Sequence, residues 1–360
     1  MRVAVDGTPL LGQSTGVGTY VRGLVGGLAA LPGVDVRGVP FTARGGARPT
    51  DLPGAVGWRH LPVPARLLQA AWGASPVPPV ELFAGCVQVF HATNFVAPPS
   101  WRAGSVVTIH DLTFLHHPEW VTPAVLRYRE LVPRALRRSG TVVVTPSLAV
   151  AGEVADAYGV PAERVVATPL GVDPGWSDAR PVDDDWLAGH GLPRDFVLFT
   201  GAREPRKNLG TLLAAHRRAR SAGPVPDLVL VGPTGWGEES GPVEGVHVVG
   251  WLPRQELRGL VARARASVLP SHYEGFGLPV LEAMAAGTAV LASDVAAHRE
   301  VAGGHARLVP PTDVDGWAEA LTTVAPLDPE RRAAAAAWAT GHTWSACARA
   351  TLTAYERALA

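Results

Sequence analysis

A chain of 360 residues is long for one hydrophobic core, so two domains are expected. Apolar residues at 47% against charged residues at 18% describe a globular protein, and no apolar run nears the roughly 20 residues that span a bilayer. The 32 basic and 32 acidic residues cancel, residues 1–172 carry only 14 Arg against 10 acidic residues, and two cysteines, Cys86 and Cys347, cannot build a disulfide framework or a metal knuckle. A nucleic-acid surface is therefore not expected, and the cytoplasm is the expected compartment.

Arg2–Gly7 opens the chain as a strand, with no charged leader ahead of an apolar core, so no signal peptide is expected. Short β-branched runs then alternate with helical stretches. Val3–Val5, Val34–Val39, Val87–His91, Val106–His110, Val142–Thr145 and Val165–Thr168 predict strands whose near-continuous apolarity suits a buried parallel sheet. Val17–Leu31, Pro123–Arg138 and Leu148–Tyr158 predict helices among them. Residues 40–80 are rich in Pro and Gly and show no period. A second series follows, with strands at Val197–Thr200, Leu228–Val231, Val246–Val249, Ser267–Leu269, Val290–Ala292 and Arg307–Val309. Its helices are Leu209–Ala222, Arg254–Ala264, Leu278–Ala286, Val314–Val324 and Pro329–Trp338. Thr343–Leu359, with Trp344 and Tyr355, is helical again. The segment Gly171–Pro193, broken by several Pro and Asp residues, predicts the domain boundary. The expected class is α/β, built as two Rossmann-like doubly wound domains over 1–172 and 173–342, with a terminal helix over 343–360. Ligands of such sheets lie outside the strands' carboxyl ends, so a cleft between two facing domains is the expected site.

Thr15-Gly16-Val17-Gly18-Thr19-Tyr20 precedes the first long helix. A dinucleotide fingerprint is not met, because Val21 takes the third glycine position and ten residues separate Val5 from Gly16. His110 and Asp111 end a strand, as does His91, and a strand-end histidine alone is compatible with a core role. The adjacent pair His116-His117 cannot easily share one ion and lacks a third ligand. Asp183-Asp184-Asp185 holds an Asp-x-Asp pattern but lies in a Pro-rich stretch, where it reads as a solvated charge run; no metal is expected. In Phe196–Leu209 a strand, Gly201, a loop and a helix follow in order, with Arg206 and Lys207 where the helix begins. Cations there are misplaced unless an anion binds, and Lys207 is the one lysine among the basic residues.

The stretch His272–Gly287 is again strand, Gly-x-Gly turn and helix, and the free amides of the helix start form an anion site. Glu274 lies on the loop and Glu282 inside the helix. Carboxylates are good acceptors for vicinal hydroxyls, so two of them around one anion site suit a sugar, a phosphate bridge and a ribose. A strand-turn-helix unit with two surface glutamates is the bland alternative.

Glu274-Gly-Phe-Gly-Leu-Pro279, with Glu282 eight positions after Glu274 and the helix ending Ala-Ala-Gly287, resembles the E-x7-E motif of retaining nucleotide-sugar glycosyltransferases of family 4, which have the GT-B fold. Glu204-Pro-Arg-Lys-Asn208 resembles that family's Glu-Pro-x-Lys-Asn loop, except that Ala202 stands where many members carry Arg after the glycine, so Arg203 or Arg206 must supply that charge. The resemblance implies that Arg206 and Lys207 hold the donor diphosphate with Gly201 and the amides of Gly275, Phe276, Gly277 and Leu278. It further implies that Glu282 takes the ribose, Glu274 the sugar hydroxyls, and His110 the sugar near the reacting carbon, with Asp111 on the acceptor side. Gly16 and Gly18 would reach the donor phosphate and acceptor, and Trp251 and Leu252 the base. The implied activity moves a hexose, with mannose as the family-weighted choice, from a nucleotide sugar to a glycan, lipid-linked or small-molecule acceptor, without a metal. Front-face attack with no protein nucleophile is the implied route, and the resemblance implies that the terminal helix over 343–360 crosses back to the N-terminal domain. Leu126–Arg138, basic on one face, leaves open either peripheral contact with the inner face of the membrane or an ordinary surface helix. A GT-B nucleotide-sugar epimerase and a non-catalytic nucleotide-sugar-binding partner are the alternatives, with an oxidoreductase behind them.

Overall fold

The structure, a computed structural model, describes residues 1–12, 15–138, 140–233 and 243–360. It divides into two units, Met1–Gly171 with His342–Ala360, and Val172–Gly341. Strands of the first unit are β1 (Arg2–Asp6), β2 (Asp35–Val39), β3 (Phe41–Thr42), β4 (Gly57–Trp58), β5 (Leu61–Pro62), β6 (Val89–Ala92), β7 (Gly104–Thr108), β8 (Val142–Thr145) and β9 (Val165–Ala167). Seven of them form a parallel sheet in the order β4-β2-β1-β6-β7-β8-β9. The Val-Val-Val-Thr run of β8 is buried throughout, as a strand covered on both faces must be. From β1 the chain winds outward to β2 and β4, then crosses to β6 and winds the other way. The carboxyl ends of β1 and β6 therefore flank the point where the winding reverses.

Strands of the second unit are β10 (Phe196–Thr200), β11 (Asp227–Val231), β12 (Val246–Gly250), β13 (Ala266–Leu269), β14 (Ala289–Ser293) and β15 (Arg307–Val309). They form a parallel sheet ordered β12-β11-β10-β13-β14-β15, whose winding reverses between β10 and β13. Its core packs Phe199, Leu212, Leu228, Val268 and Leu291 around the fully buried Trp317.

In the first unit the Gly16–Ala29 helix lies along the terminal Trp344–Leu359 helix. A Cβ at Gly23 would meet the Trp344 ring at 2.1 Å, and one at Gly27 would meet the Trp344 carbonyl at 2.6 Å. Bare glycine backbone at these two places lets the helices approach.

Three segments depart from the sequence reading. Residues 40–80, which have no period, hold β3, β4, β5 and an Ala65–Ala74 helix, organised by Trp58. Its ring lies over Gly7 and Gly38, and its Nε1 donates to the Gly46 carbonyl at 2.8 Å. The single helix expected over 123–138 is two, Pro123–Leu126 and Tyr128–Leu136, the second continuing through Pro133. The Asp183–Asp185 run is exposed, as a solvated charge run should be, but it starts a helix instead of lying in an irregular linker. Asp183 caps the Asp184–Gly189 helix by accepting from the Trp186 amide at 2.8 Å, and Asp184 pairs with Arg194 and Arg263. Aspartates are favoured at such a position because they accept from unpaired amides and face the positive end of the helix dipole.

Candidate functional site

In the second unit the chain leaves β10 at Gly201, makes a 3-10 turn over Pro205–Lys207 and enters the Leu209–Ala222 helix. On the other side of the reversal it leaves β13 through Pro270–Gly277 and enters the Leu278–Ala285 helix. The His272 amide donates to the Arg206 carbonyl at 2.9 Å, which ties the two loops together. Asn208, in the left-handed region at φ 54°, donates through Nδ2 to the carbonyls of Pro270 and Pro311 at 2.9 and 2.7 Å.

The two loops bring Glu274, Arg206 and Lys207 together. Arg206 Nη1 donates to the Tyr273 carbonyl at 2.9 Å and to Glu274 Oε2 at 2.5 Å, while Nη2 reaches Glu204 Oε1 at 2.8 Å. Lys207 Nζ and Ser271 Oγ donate to Glu274 Oε1 at 2.6 and 2.7 Å. Burial alone would raise the Glu274 pKa, but Arg206, Lys207 and His298 outweigh it and hold the carboxyl far below the usual carboxylate range. Both cations face an ionised acid just before the Leu278–Ala285 helix, at whose start the Val280 amide donates to the Gly277 carbonyl at 2.9 Å.

Gly277 begins that helix at φ 102°, and a Cβ there would lie 2.9 Å from His298 Cδ2. His298 is buried, and its Nδ1–H donates to the Ser293 carbonyl at 3.0 Å. Leu278 opens the helix and Phe276 is buried behind the turn, while Gly275 lies between Glu274 and Phe276. At Gly201, φ is 149°, and a Cβ there would stand in ordinary van der Waals contact with Lys207 Cε at 3.6 Å.

Glu282, one turn further along, is partly buried. Burial pushes its pKa up to about 7, against the pull of Arg254, Arg258 and Trp176, and with Asp173 adding to the rise. Trp176 is 2% exposed, the Arg258 guanidinium lies 5.7 Å from its ring centroid, and Arg258 Nη2 donates to Asp173 Oδ1 at 2.7 Å. Beyond β12, Trp251 is 52% exposed and Leu252 is buried beneath it in the chain.

In the first unit His110 follows β7. Its Nε2 faces the Thr93 carbonyl at 2.8 Å, and since a carbonyl only accepts, Nε2 carries the proton. Burial lowers the His110 pKa against the opposing effects of that hydrogen bond and of Asp111, so the ring is neutral at pH 7, with Nδ1 an acceptor. The edges of Tyr20 and Phe95 hold the ring at centroid distances of 5.2 and 5.6 Å. Asp111 accepts from the Thr113 amide at 2.9 Å and so starts the short Thr113–His116 helix. Gly16 and Gly18 stand within the first turn of the Gly16–Ala29 helix, where Thr15 Oγ1 accepts from the Gly18 amide at 3.1 Å. A Cβ at Gly18 would lie 2.8 Å from the Pro9 carbonyl oxygen.

His91 takes the core role open to a strand-end histidine. It is fully buried, with Nδ1 bonded to Tyr355 Oη at 2.8 Å and Nε2 to Thr108 Oγ1 at 2.7 Å. His116 and His117 turn to Glu153 and Glu119 respectively, and among the described residues no three His, Cys, Asp or Glu gather as metal ligands. Sequence reasoning missed Glu204, Ser271 and His298 as parts of the Glu274 cluster. Glu204 opens the Glu-Pro-x-Lys-Asn motif, Ser271 precedes the His272–Gly287 stretch with proximity as its one signal, and His298 is distant and had none.

A family model described as Glycosyltransferase Family 4 matches residues 14–176, and one described as Glycosyl transferases group 1 matches residues 194–325. An O-antigen chain mannosyltransferase B of Escherichia coli is 32% identical over 252 residues, with 64% of each chain covered. An MMP alpha-(1->4)-mannosyltransferase of Mycolicibacterium hassiacum is 32% identical over 240 residues, covering 61% of this chain and 54% of the relative. The chain thus spans between about half and just under two thirds of the length of these curated relatives. Among solved structures, sucrose-phosphate synthase from Thermosynechococcus elongatus aligns over 99% of this chain and 94% of its own, with a TM-score of 0.66 and 21% identity. WaaG, titled a glycosyltransferase involved in lipopolysaccharide biosynthesis, aligns over 95% and 94% with a TM-score of 0.66 and 17% identity.

Proposed function

We propose that the chain is a retaining hexosyltransferase that uses a nucleotide diphosphate sugar and needs no metal: glycosyltransferase family models match residues 14–176 and 194–325, and the fold is GT-B. The observation that carries this reading is the partly buried Arg206, Lys207 and Glu274 cluster at the amino end of the Leu278–Ala285 helix, at the winding reversal of the second sheet. Mannose is the proposed sugar, from the mannosyltransferase names of the two relatives.

In this reading the donor diphosphate lies between the helix amides and the two cations. Arg206 grips it as a rigid fork and Lys207 as a compact charge. Glu274 and Glu204 together balance the two cations, so binding exchanges one set of anionic partners for another. Glu274 then faces the sugar hydroxyls, Glu282 accepts the ribose hydroxyls, and Trp251 and Leu252 line the base. His110, neutral with Nδ1 as acceptor, takes a sugar hydroxyl. Asp111, Gly16 and Gly18 shape the acceptor side. As the anomeric C–O bond breaks, the charge that builds on the diphosphate oxygen is stabilised by fixed cations and amides. The acceptor oxygen bonds to the same face of the anomeric carbon, and its proton passes to the departing phosphate oxygen. The acceptor class is a glycan, a lipid-linked sugar or a small polyol.

Incubation with GDP-mannose or UDP-glucose in EDTA, followed by proton NMR, tests the proposal. An α-linked donor should release its nucleoside diphosphate and give a first product in the α configuration. A β product would contradict retention, and an epimerised nucleotide sugar with no released nucleotide would favour the epimerase.

A further inference from the structure

The winding of the first sheet reverses between β1 and β6, and the residue standing at the end of β1 there is an aspartate. Asp6 is held in place: Thr8 donates its amide to Asp6 Oδ1 at 2.9 Å and also offers its hydroxyl, and Thr93 Oγ1 donates to the Asp6 carbonyl at 2.9 Å. Thr93 is also the residue whose carbonyl receives the His110 Nε2–H, so Asp6 and His110 are braced on one loop. Tyr128, which feels the Asp6 charge, stacks on Phe95 at 4.7 Å, and Phe95 in turn packs against His110.

Among the described residues no Arg, Lys or His pairs with Asp6, in contrast to Glu274 with its two cations. Burial without a compensating cation pushes its pKa up to about 6, with Thr8 pulling against the rise. An ionised carboxylate presents about four acceptor positions, and Thr8 occupies two of them. A partly buried carboxylate with no cation beside it is expensive, and a hydrophobic or amide side chain would fill the position at lower cost. Its remaining acceptor positions suit neutral donors. An anionic group would be repelled by it, whereas hydroxyls would satisfy it.

We propose that Asp6 is an acceptor-binding residue, taking hydroxyls of a neutral polyol, a pyranose or a cyclitol, at the winding reversal of the first sheet beside His110. The inference rests on the glycosyltransferase reading and adds the residue that selects an uncharged hydroxylated face over a phosphorylated one.

The test is calorimetric titration of the full chain with methyl α-D-mannopyranoside and with myo-inositol, with and without saturating GDP, for the native protein and Asp6→Asn. GDP binding is measured separately in both proteins, so failure of the donor site and failure of this inference are read independently. Asp6→Asn keeps an oxygen for the Thr8 amide and removes an uncompensated charge, so its melting temperature at pH 8 should equal or exceed the native value. The expected result is binding of at least one polyol, weakened at least about tenfold in Asp6→Asn, with GDP affinity unchanged, in line with the loss of a charge-assisted hydrogen bond. Absence of polyol binding to the native protein, or equal affinity in the variant, overturns the inference even where GDP binds normally.

Discussion

Glu282 illustrates how a proposed binding residue works against stability. Its folded pKa of about 7 lies above the ordinary carboxylate value of 4.5, so the folded state holds the proton more tightly than the unfolded state does. Stability therefore falls as pH rises from about 4.5 to about 7, and the full cost is present above that window. Glu282→Gln removes the titration. It should stabilise the second unit by roughly 1–3 kcal/mol at pH 8 and scarcely at pH 4.5, as read from thermal unfolding at the two values. A gain of the same size at both pH values would show that the carboxyl is not desolvated. Glu274 is the opposite case, an acid whose cations overcompensate its burial. Both glutamates and both cations stood out in the sequence because they sit in short motifs. Their assignment to separate donor groups did not reveal that Glu274 itself pairs with Arg206 and Lys207, because 67 and 68 residues separate the partners.

At the scale of elements, the strand-turn-helix units were readable because β-branched runs and helical periodicity change over at glycines. Leu148–Tyr158 and Leu209–Ala222 fall where periodicity sets them. The Ala296–Ala302 helix was not legible: it is seven residues long and begins at Val295 without a side-chain cap, and it carries His298. Residues 40–80 were illegible for a related reason, since two-residue strands have no measurable period and Trp58 packing organises them. Gly277 joins the legible and the hidden parts of the site. Its φ of 102° and the 2.9 Å approach of His298 mean that Gly277→Ala must shift either the turn or the histidine. That substitution should cost about 1–3 kcal/mol of stability in denaturant unfolding and weaken nucleotide binding, whereas a variant as stable and as tight as the native chain would contradict the assigned turn geometry.

At the scale of the molecule, the first unit is assembled from both ends of the chain. His91 bonds the Tyr355 hydroxyl from the terminal helix, Thr108 Oγ1 bonds His91, and the Tyr20 hydroxyl meets the same Thr108 at 2.9 Å. This buried chain joins the first helix, two central strands and the last helix. Tyr355→Phe leaves His91 Nδ1 without its partner and should cost about 1–3 kcal/mol. Hydrogen exchange should then rise in Gly16–Ala29 and Trp344–Leu359 while β10–β15 stay protected. Uniform loosening of both units would contradict that division. The two-sheet architecture was legible from the succession of apolar runs, whereas the packing at Gly23, Gly27 and Trp344 that groups residues 342–360 with the first unit leaves no periodic signal, and only the family resemblance pointed to it.

The central claim is that the β10–β13 reversal holds a nucleotide diphosphate through its own cations. The most direct test is calorimetric titration with GDP, UDP and ADP and their sugar conjugates in EDTA, for the native protein, Lys207→Met and Glu282→Ala. One nucleotide should bind without metal and lose about 10- to 100-fold in affinity in Lys207→Met, as expected for one charged hydrogen-bonding group, with a loss also in Glu282→Ala. No binding of any nucleotide to the folded native protein, or affinity unchanged in Lys207→Met, would contradict it.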